Sequence, residues 1–205
     1  MEKNRLIIPL ACLLALAGII GGIVLFNNKS KDFSLPDKTS IKSDMKNRGY
    51  TPKEVDFSDL KKLGIKVDFY QVGIDKSKDK DKEIPLVYSY NEYGEGKDAF
   101  KCFENYYSSA YYLKKRGDID GTVKYYYNEK KQKGFILYDM KLESNSMVDS
   151  YAFSQAGGSL FDAEKGDYIY GGMYYDGKKV MLITTKDGAK RYEVKEIMDE
   201  FKLPH

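Results

Sequence analysis

Residues 168–184 read YIYGGMYYDGKKVMLIT and carry the clearest fold signal in the chain. Two runs rich in tyrosine and aliphatic residues, Tyr168–Tyr175 and Lys178–Thr184, flank the pair Asp176-Gly177. Asp-Gly between two such runs is typical of a tight β-hairpin, because both central residues of a type I′ turn need positive φ. The stretch therefore predicts two antiparallel strands joined by a two-residue turn.

Four stretches upstream also have the composition of strands. Ile65–Val72 alternates apolar and polar residues, as a half-buried strand does. Ile84–Tyr90 follows a charged loop. Val123–Tyr127 and Phe135–Met140 flank a polar turn that contains a glycine, so we expect a second hairpin.

Three segments have the periodicity of amphipathic helices. Ser40–Arg48 places Ile41 and Met45 on one face and ends at a glycine. Asp98–Arg116 spaces its aromatic residues at helical intervals. A last helix begins near Asp187-Gly188, and its apolar residues follow the i, i+3, i+4, i+7 pattern: Val194, Ile197, Met198 and Phe201.

The order of these elements is α-β-β-α-β-β-β-β-α, with short connections. Such an order favours an antiparallel sheet rather than a parallel one, since parallel strands need long crossovers. We therefore predict a single α+β domain over residues 39–205, in which helices pack on one face of an antiparallel sheet. The prediction places one N-terminal transmembrane helix before this domain.

That transmembrane helix is predicted for Leu6–Phe26, which reads LIIPLACLLALAGIIGGIVLF and carries no charge. At the rise of an α-helix the segment is about 31 Å long, enough to cross the hydrocarbon core of a bilayer. Residues 1–5 form a short charged flank, and residues 27–38 read as a polar neck. The sequence thus predicts a single-pass protein of the cell membrane.

The apolar segment has three possible fates: lipidation, cleavage as a signal peptide, or retention as an uncleaved anchor. The pattern Leu10-Ala11-Cys12 comes too early in the apolar run for lipidation, and cleavage after Ala17 would leave an apolar half on the mature chain. An uncleaved signal anchor is therefore favoured. Lysines flank both ends, so charge does not set the orientation. The short charged start resembles a secretory signal and favours a domain outside the cytoplasm.

Composition narrows the possible chemistry. The chain has 34 basic and 31 acidic residues, a net charge of +3, which gives no strong field for nucleic acid. His205 is the one histidine, and Cys12 and Cys102 are the two cysteines. A metal site built from histidine or cysteine and a histidine-based catalytic site are therefore disfavoured. We expect no cofactor, no metal and no catalytic residue.

Tyrosine is unusually frequent, with 19 residues against no tryptophan. Several tyrosines are consecutive on predicted strands, where neighbouring side chains face opposite sides. One side must therefore expose several phenol rings or cover them with a helix. Exposed rings would be useful for binding a protein or a glycan. The alternative is that tyrosine simply suits half-buried strands. The candidate binding residues are Tyr125, Tyr127, Tyr174 and Tyr175.

The Gly49-Tyr50 helix exit, the Asp176-Gly177 hairpin and the closing amphipathic helix resemble features of the small membrane-anchored or lipid-anchored extracytoplasmic domains of Gram-positive bacteria. Those domains have no assigned activity. The resemblance implies anchoring and an α+β module, and it supplies no catalytic residue.

The functional hypothesis is a membrane-anchored, non-enzymatic module outside the cytoplasm that contacts a protein or a cell-envelope component. One alternative is a carboxylate-dependent hydrolase of envelope polymers, although no pair of acidic residues stands out in the sequence. Another is an accessory subunit of a membrane complex, recognised through the Gly18 and Gly22 pair of the predicted anchor.

Overall fold

A computed structural model describes residues 32–54, 67–74, 86–116, 119–143 and 166–205 of the chain. The predicted anchor Leu6–Phe26 lies outside these residues. None of the helices in the described ranges has the length and apolar character needed to cross a bilayer.

The described strands form one antiparallel sheet in the order β1-β2-β3-β7-β6-β5-β4. Their bounds are Thr51–Glu54 (β1), Val67–Ile74 (β2), Leu86–Tyr93 (β3), Ile119–Asn128 (β4), Lys133–Leu142 (β5), Tyr168–Asp176 (β6) and Lys179–Thr185 (β7). The hairpin predicted from Asp176-Gly177 is confirmed as β6–β7, and Gly177 has a φ of +62°. β1 was not predicted from the sequence; it is a short edge strand in which Pro52 is tolerated.

Three helices accompany the sheet: α1 (Lys38–Asn47), α2 (Gly96–Arg116) and α3 (Arg191–Glu200), the last preceded by a 3₁₀ turn at Gly188–Lys190. Asp37 starts α1, because its carboxylate accepts hydrogen bonds from the backbone N–H groups of Thr39 at 2.8 Å and Ser40 at 2.9 Å. The Ser40 N–H bond is the main cause of the lowered pKa of Asp37. Gly49, with a φ of +88°, ends the helix as predicted.

Helices cover both faces of the sheet, which differs from the predicted one-sided arrangement. The aromatic and aliphatic side chains of α2 fill one core, in which Phe103 is buried. The other core lies under α1 and α3 and contains Ile41 and Ile197. The reason is visible in β3 and β7, where nearly every consecutive residue is buried. Since neighbouring residues of a strand face opposite sides, such runs require two covered faces.

The second half of the predicted neck belongs to the folded unit, which spans Phe33–His205. Phe33 and Leu35 are buried in the core under α1 and α3. The Leu35 N–H donates to Asp176 Oδ2 at 3.0 Å, and the Lys179 ammonium donates to the Leu35 carbonyl at 3.3 Å. The domain therefore begins about six residues earlier than residue 39, because two spaced apolar residues inside a polar run are enough to join a core.

Candidate functional site

Tyr174 and Tyr175, two of the four predicted binding residues, are both fully buried. They face opposite sides of β6, so each belongs to a different core. The Tyr174 hydroxyl donates to the Pro204 carbonyl at 2.8 Å, and the Tyr175 hydroxyl donates to Gln132 Oε1 at 2.7 Å. Their expected exposure is thus corrected: β6 lies inside the sheet and is covered above and below.

Tyr125 and Tyr127 lie on the α2 side of β4. Tyr125 is half-buried against the core under α2, and Tyr127 is 37% exposed. The Tyr127 ring centroid lies 4.9 Å from that of Phe100 and 6.3 Å from that of Tyr175. Tyr127 and Tyr175 are therefore brought together, but in an aromatic cluster that closes one end of a core. The four tyrosines do not form one exposed surface.

A different surface lies on the α3 side of the outer strands β4 and β5. α3 packs against β6 and β7, while Thr122 and Lys124 of β4 remain exposed. A cavity of about 110 Å³ lies between α3 and these exposed residues of β4. We call it the outer-strand groove, and its main lining residues are Thr122, Lys124, Leu137, Asp139, Tyr170, Met198 and His205.

The floor of the outer-strand groove is apolar and its rim is charged. Leu137, Tyr170 and Met198 supply the apolar contacts. Burial raises the pKa of the Tyr170 phenol above its ordinary value. At the rim, His205 Nε2 lies 3.3 Å from the Asp199 carboxylate.

Arg191 stands beside this groove in a fixed position. Its guanidinium carbon lies 4.8 Å from the ring centroid of Tyr168 and 4.4 Å from that of Tyr170. Its Nη2 lies 3.2 Å from Asp139 Oδ1, and the Tyr168 hydroxyl donates to the same oxygen. Two cation–π contacts and an ion pair therefore hold a side chain that is still 42% exposed.

This cluster was not predicted from the sequence, because its residues come from three separate elements. Asp139 belongs to β5, Tyr168 and Tyr170 belong to β6, and Arg191 begins α3. The β5–β6 register places Asp139 opposite Tyr170. The alternation of Tyr168 with Tyr170 was a usable signal for one face of a strand, but the sequence did not indicate which residues that face would meet.

A second, more open pocket of about 320 Å³ lies between the end of α1 and α3. It contains Glu193 and Glu196, the kind of pair that the hydrolase alternative requires. Glu193 accepts from the Tyr50 hydroxyl and from the Lys190 ammonium at 2.9 Å, and Glu196 lies 3.7 Å from Arg48. A general acid instead needs an apolar setting that keeps a carboxyl protonated. The pocket does not favour a hydrolase.

A metal ion would need several ligating side chains close together in the part of the chain that the structure describes. No group of three or more His, Cys, Asp or Glu residues there is placed to hold a metal ion. The outer-strand groove, at about 110 Å³, is smaller than a typical site for a small molecule, which encloses about 300–1,000 Å³. Comparison of the chain with protein-family models, with curated proteins and with solved structures found no match.

Proposed function

We propose that this chain is a membrane-anchored, non-catalytic module outside the cytoplasm that contacts a partner protein through the outer-strand groove. The observation that carries the proposal is the exposed Arg191, held over two tyrosine rings beside an apolar floor. The apolar stretch Leu6–Phe26 supports the anchored location, because its length matches the thickness of a bilayer core.

The residue types at the groove favour a protein partner. Tyrosine, methionine and arginine are enriched at the centres of protein interfaces, and tyrosine and arginine dominate binding hot spots. Here Tyr170 of β6 and Met198 of α3 line the groove, and the Arg191 guanidinium lies over the Tyr170 ring. The groove is large enough for a single apolar side chain of the partner.

The stacking of Arg191 also lowers the cost of binding. Immobilising a long side chain on association costs about 0.5–1.5 kcal/mol. The contacts with Tyr168, Tyr170 and Asp139 already restrict this side chain in the unbound domain. A carboxylate or a backbone carbonyl of the partner can accept from the guanidinium N–H groups that Asp139 leaves available.

Site-specific photo-cross-linking tests the proposal in cells that naturally contain the full chain. A benzophenone amino acid replaces His205 at the groove rim, and in a matched control it replaces Lys195, an exposed residue of α3 that does not line the groove. We expect one discrete adduct from position 205 and at least fivefold less from position 195. Arg191→Ala in the position-205 chain should reduce the adduct by a similar factor.

Two results would overturn the proposal. One is equal labelling from both positions, which indicates random collision. The other is an adduct at position 205 that is insensitive to Arg191→Ala. An adduct of twice the mass of the chain is scored separately, as a contact between two copies.

A further inference from the structure

The two edges of the sheet are built differently. β1 has four residues and contains Pro52, two features that commonly protect an edge strand from pairing with another chain. β4 has ten residues and no proline, and Asp120, Thr122 and Lys124 on its α3 side are exposed. Among the described strands, none lies beside β4 on the side away from β5. β4 is therefore the described edge whose length and composition best suit further pairing.

β4 is also continuous over its whole length. It pairs with β5 from Ile119 to Asn128 without a shift of register, including Gly121, whose φ is +114°. In an antiparallel strand, alternate residues direct their N–H and C=O groups to one neighbour or the other. The alternate residues of β4 therefore present their backbone groups away from β5, along a row that can receive another strand.

We propose that a second copy of this chain pairs with β4 antiparallel, with the two-fold axis at Thr122. In this register Asp120 of each copy lies opposite Lys124 of the other. Opposite charges that face each other across a strand pair are stabilising, and the symmetry produces two such pairs. The β4 sequence is thus complementary in charge to itself.

On the α2 side of the proposed strand pair, the side chains that lie opposite each other are also compatible. Ile119 lies opposite Tyr125 of the second copy, and both side chains are half-buried on the α2 side. Aromatic residues pair well with β-branched residues across strands. A register with the axis at Lys124 instead places two ammonium groups opposite each other, which is destabilising. The register with its axis at Thr122 therefore gives favourable side-chain pairs on both faces of the sheet.

This pairing extends the binding surface of the proposed function. A two-fold axis perpendicular to a continuous antiparallel sheet keeps equivalent faces on the same side. Thr122 and Lys124 line the outer-strand groove, so the grooves of two copies border the same seam. Each copy would contribute residues to a surface that spans the pair.

Disulfide trapping of the full chain in membranes tests the register. The two native cysteines are first replaced, by Cys12→Ala and Cys102→Ala. Residues directly opposite in an antiparallel pair have Cα atoms about 4.5–5.5 Å apart, within the range of a disulfide. Thr122→Cys should therefore give a covalent dimer under mild oxidation. Two copies of Lys124→Cys would be offset by four residues, about 13 Å, and should give at least tenfold less.

Mixing and charge exchange provide the controls. Asp120→Cys and Lys124→Cys, co-expressed with different tags, should cross-link to each other. Asp120→Lys in the Thr122→Cys chain should lower the dimer yield several-fold, and adding Lys124→Asp should restore it. Equal yields at positions 122 and 124, or no dimer at position 122 in a chain that remains folded by circular dichroism, would overturn the proposal. The trapping yield does not depend on the partner adduct at position 205, so the two proposals can fail separately.

Discussion

Tyr174 and Tyr175 are adjacent in β6, yet they stabilise two different cores. The Tyr174 ring packs against Phe33, with centroids 5.9 Å apart, on the side of α1 and α3. The Tyr175 ring stacks on Phe103 of α2 at 5.5 Å. Each hydroxyl reaches a polar acceptor at the edge of its core. Tyrosine is useful here because it combines a large apolar ring with one hydrogen-bonding group.

Removing a single hydroxyl tests the role of Tyr174. Tyr174→Phe keeps the ring but leaves the buried Pro204 carbonyl without this donor, so we expect a loss of about 1–3 kcal/mol in the free energy of unfolding. Tyr192→Phe is the matched control, because Tyr192 is 73% exposed, and should change stability by less than about 0.5 kcal/mol. Equal changes in urea unfolding for the two variants would contradict a structural role for the Tyr174 hydroxyl.

The buried tyrosines also predict how stability depends on pH. Burial raises the pKa of Tyr175 to about 12, whereas a tyrosine in the unfolded chain titrates near its ordinary value of about 10. The folded state therefore holds this proton more tightly. Its contribution to stability is complete below pH 10 and is lost as the pH rises toward 12.

We expect the free energy of unfolding to fall steeply between pH 10 and 12 as a result. Tyr175→Phe should flatten that decline relative to the unsubstituted chain, while Tyr192→Phe should leave the slope unchanged. Urea titrations at a series of alkaline pH values measure the free energy of unfolding and so give this slope. A slope that Tyr175→Phe does not alter would show that this phenol is not titrating with unfolding.

At the scale of elements, Asp44 joins α1 to the sheet and to α3. This buried carboxylate accepts from the Tyr88 hydroxyl of β3 at 2.8 Å and from Arg48 Nε at 2.8 Å. Arg48 in turn donates to Glu200 of α3 at 2.8 Å. Burial, and then the nearby Asp44 carboxylate, raise the pKa of Tyr88 above its ordinary range. The phenol therefore remains a hydrogen-bond donor at any physiological pH.

Asp44→Ala should destabilise the domain more than loss of the outer ion pair. It leaves the buried Tyr88 hydroxyl without its acceptor, at a cost of about 1–3 kcal/mol. Glu200→Gln removes a surface charge that is 54% exposed, and exposed pairs contribute about 0–1 kcal/mol. Thermal or urea unfolding of both variants gives the comparison. A larger effect for Glu200→Gln would show that the surface pair, not the buried carboxylate, joins these elements.

Local patterns predicted most of the described elements, because turns and periodicity are local properties. The Asp176-Gly177 turn and the Ile41 and Met45 spacing specified β6–β7 and α1. The number of layers in the fold is not determined by local sequence, because it depends on where the helices pack against the sheet. β3 and β7 contain runs of consecutive large apolar residues, which indicate a strand that is covered on both faces. The antiparallel order of the elements instead favoured a sheet with one covered face. The Arg191 cluster depends on register and helix placement, so only the fold reveals it.

At the scale of the whole molecule, the sheet combines a covered centre with a less covered outer edge. The two cores account for the fate of the predicted binding tyrosines. The outer-strand groove and β4 then provide the surfaces on which the two proposals rest. The proposed function also places the domain at the outer side of a membrane through the predicted anchor Leu6–Phe26, whereas the pairing of β4 does not depend on the side of the membrane.

The side of the membrane on which the domain lies is the most direct test of this account. Lys195→Cys places a thiol at an exposed position of α3 in a Cys12→Ala chain. Cys102→Ala in the same chain removes the other native thiol, which is only partly buried. The measurement is labelling of the full chain with a membrane-impermeant maleimide, in intact and in permeabilised cells. Equal labelling in the two conditions is the predicted result. Labelling that appears only after permeabilisation would place the domain in the cytoplasm and contradict the account.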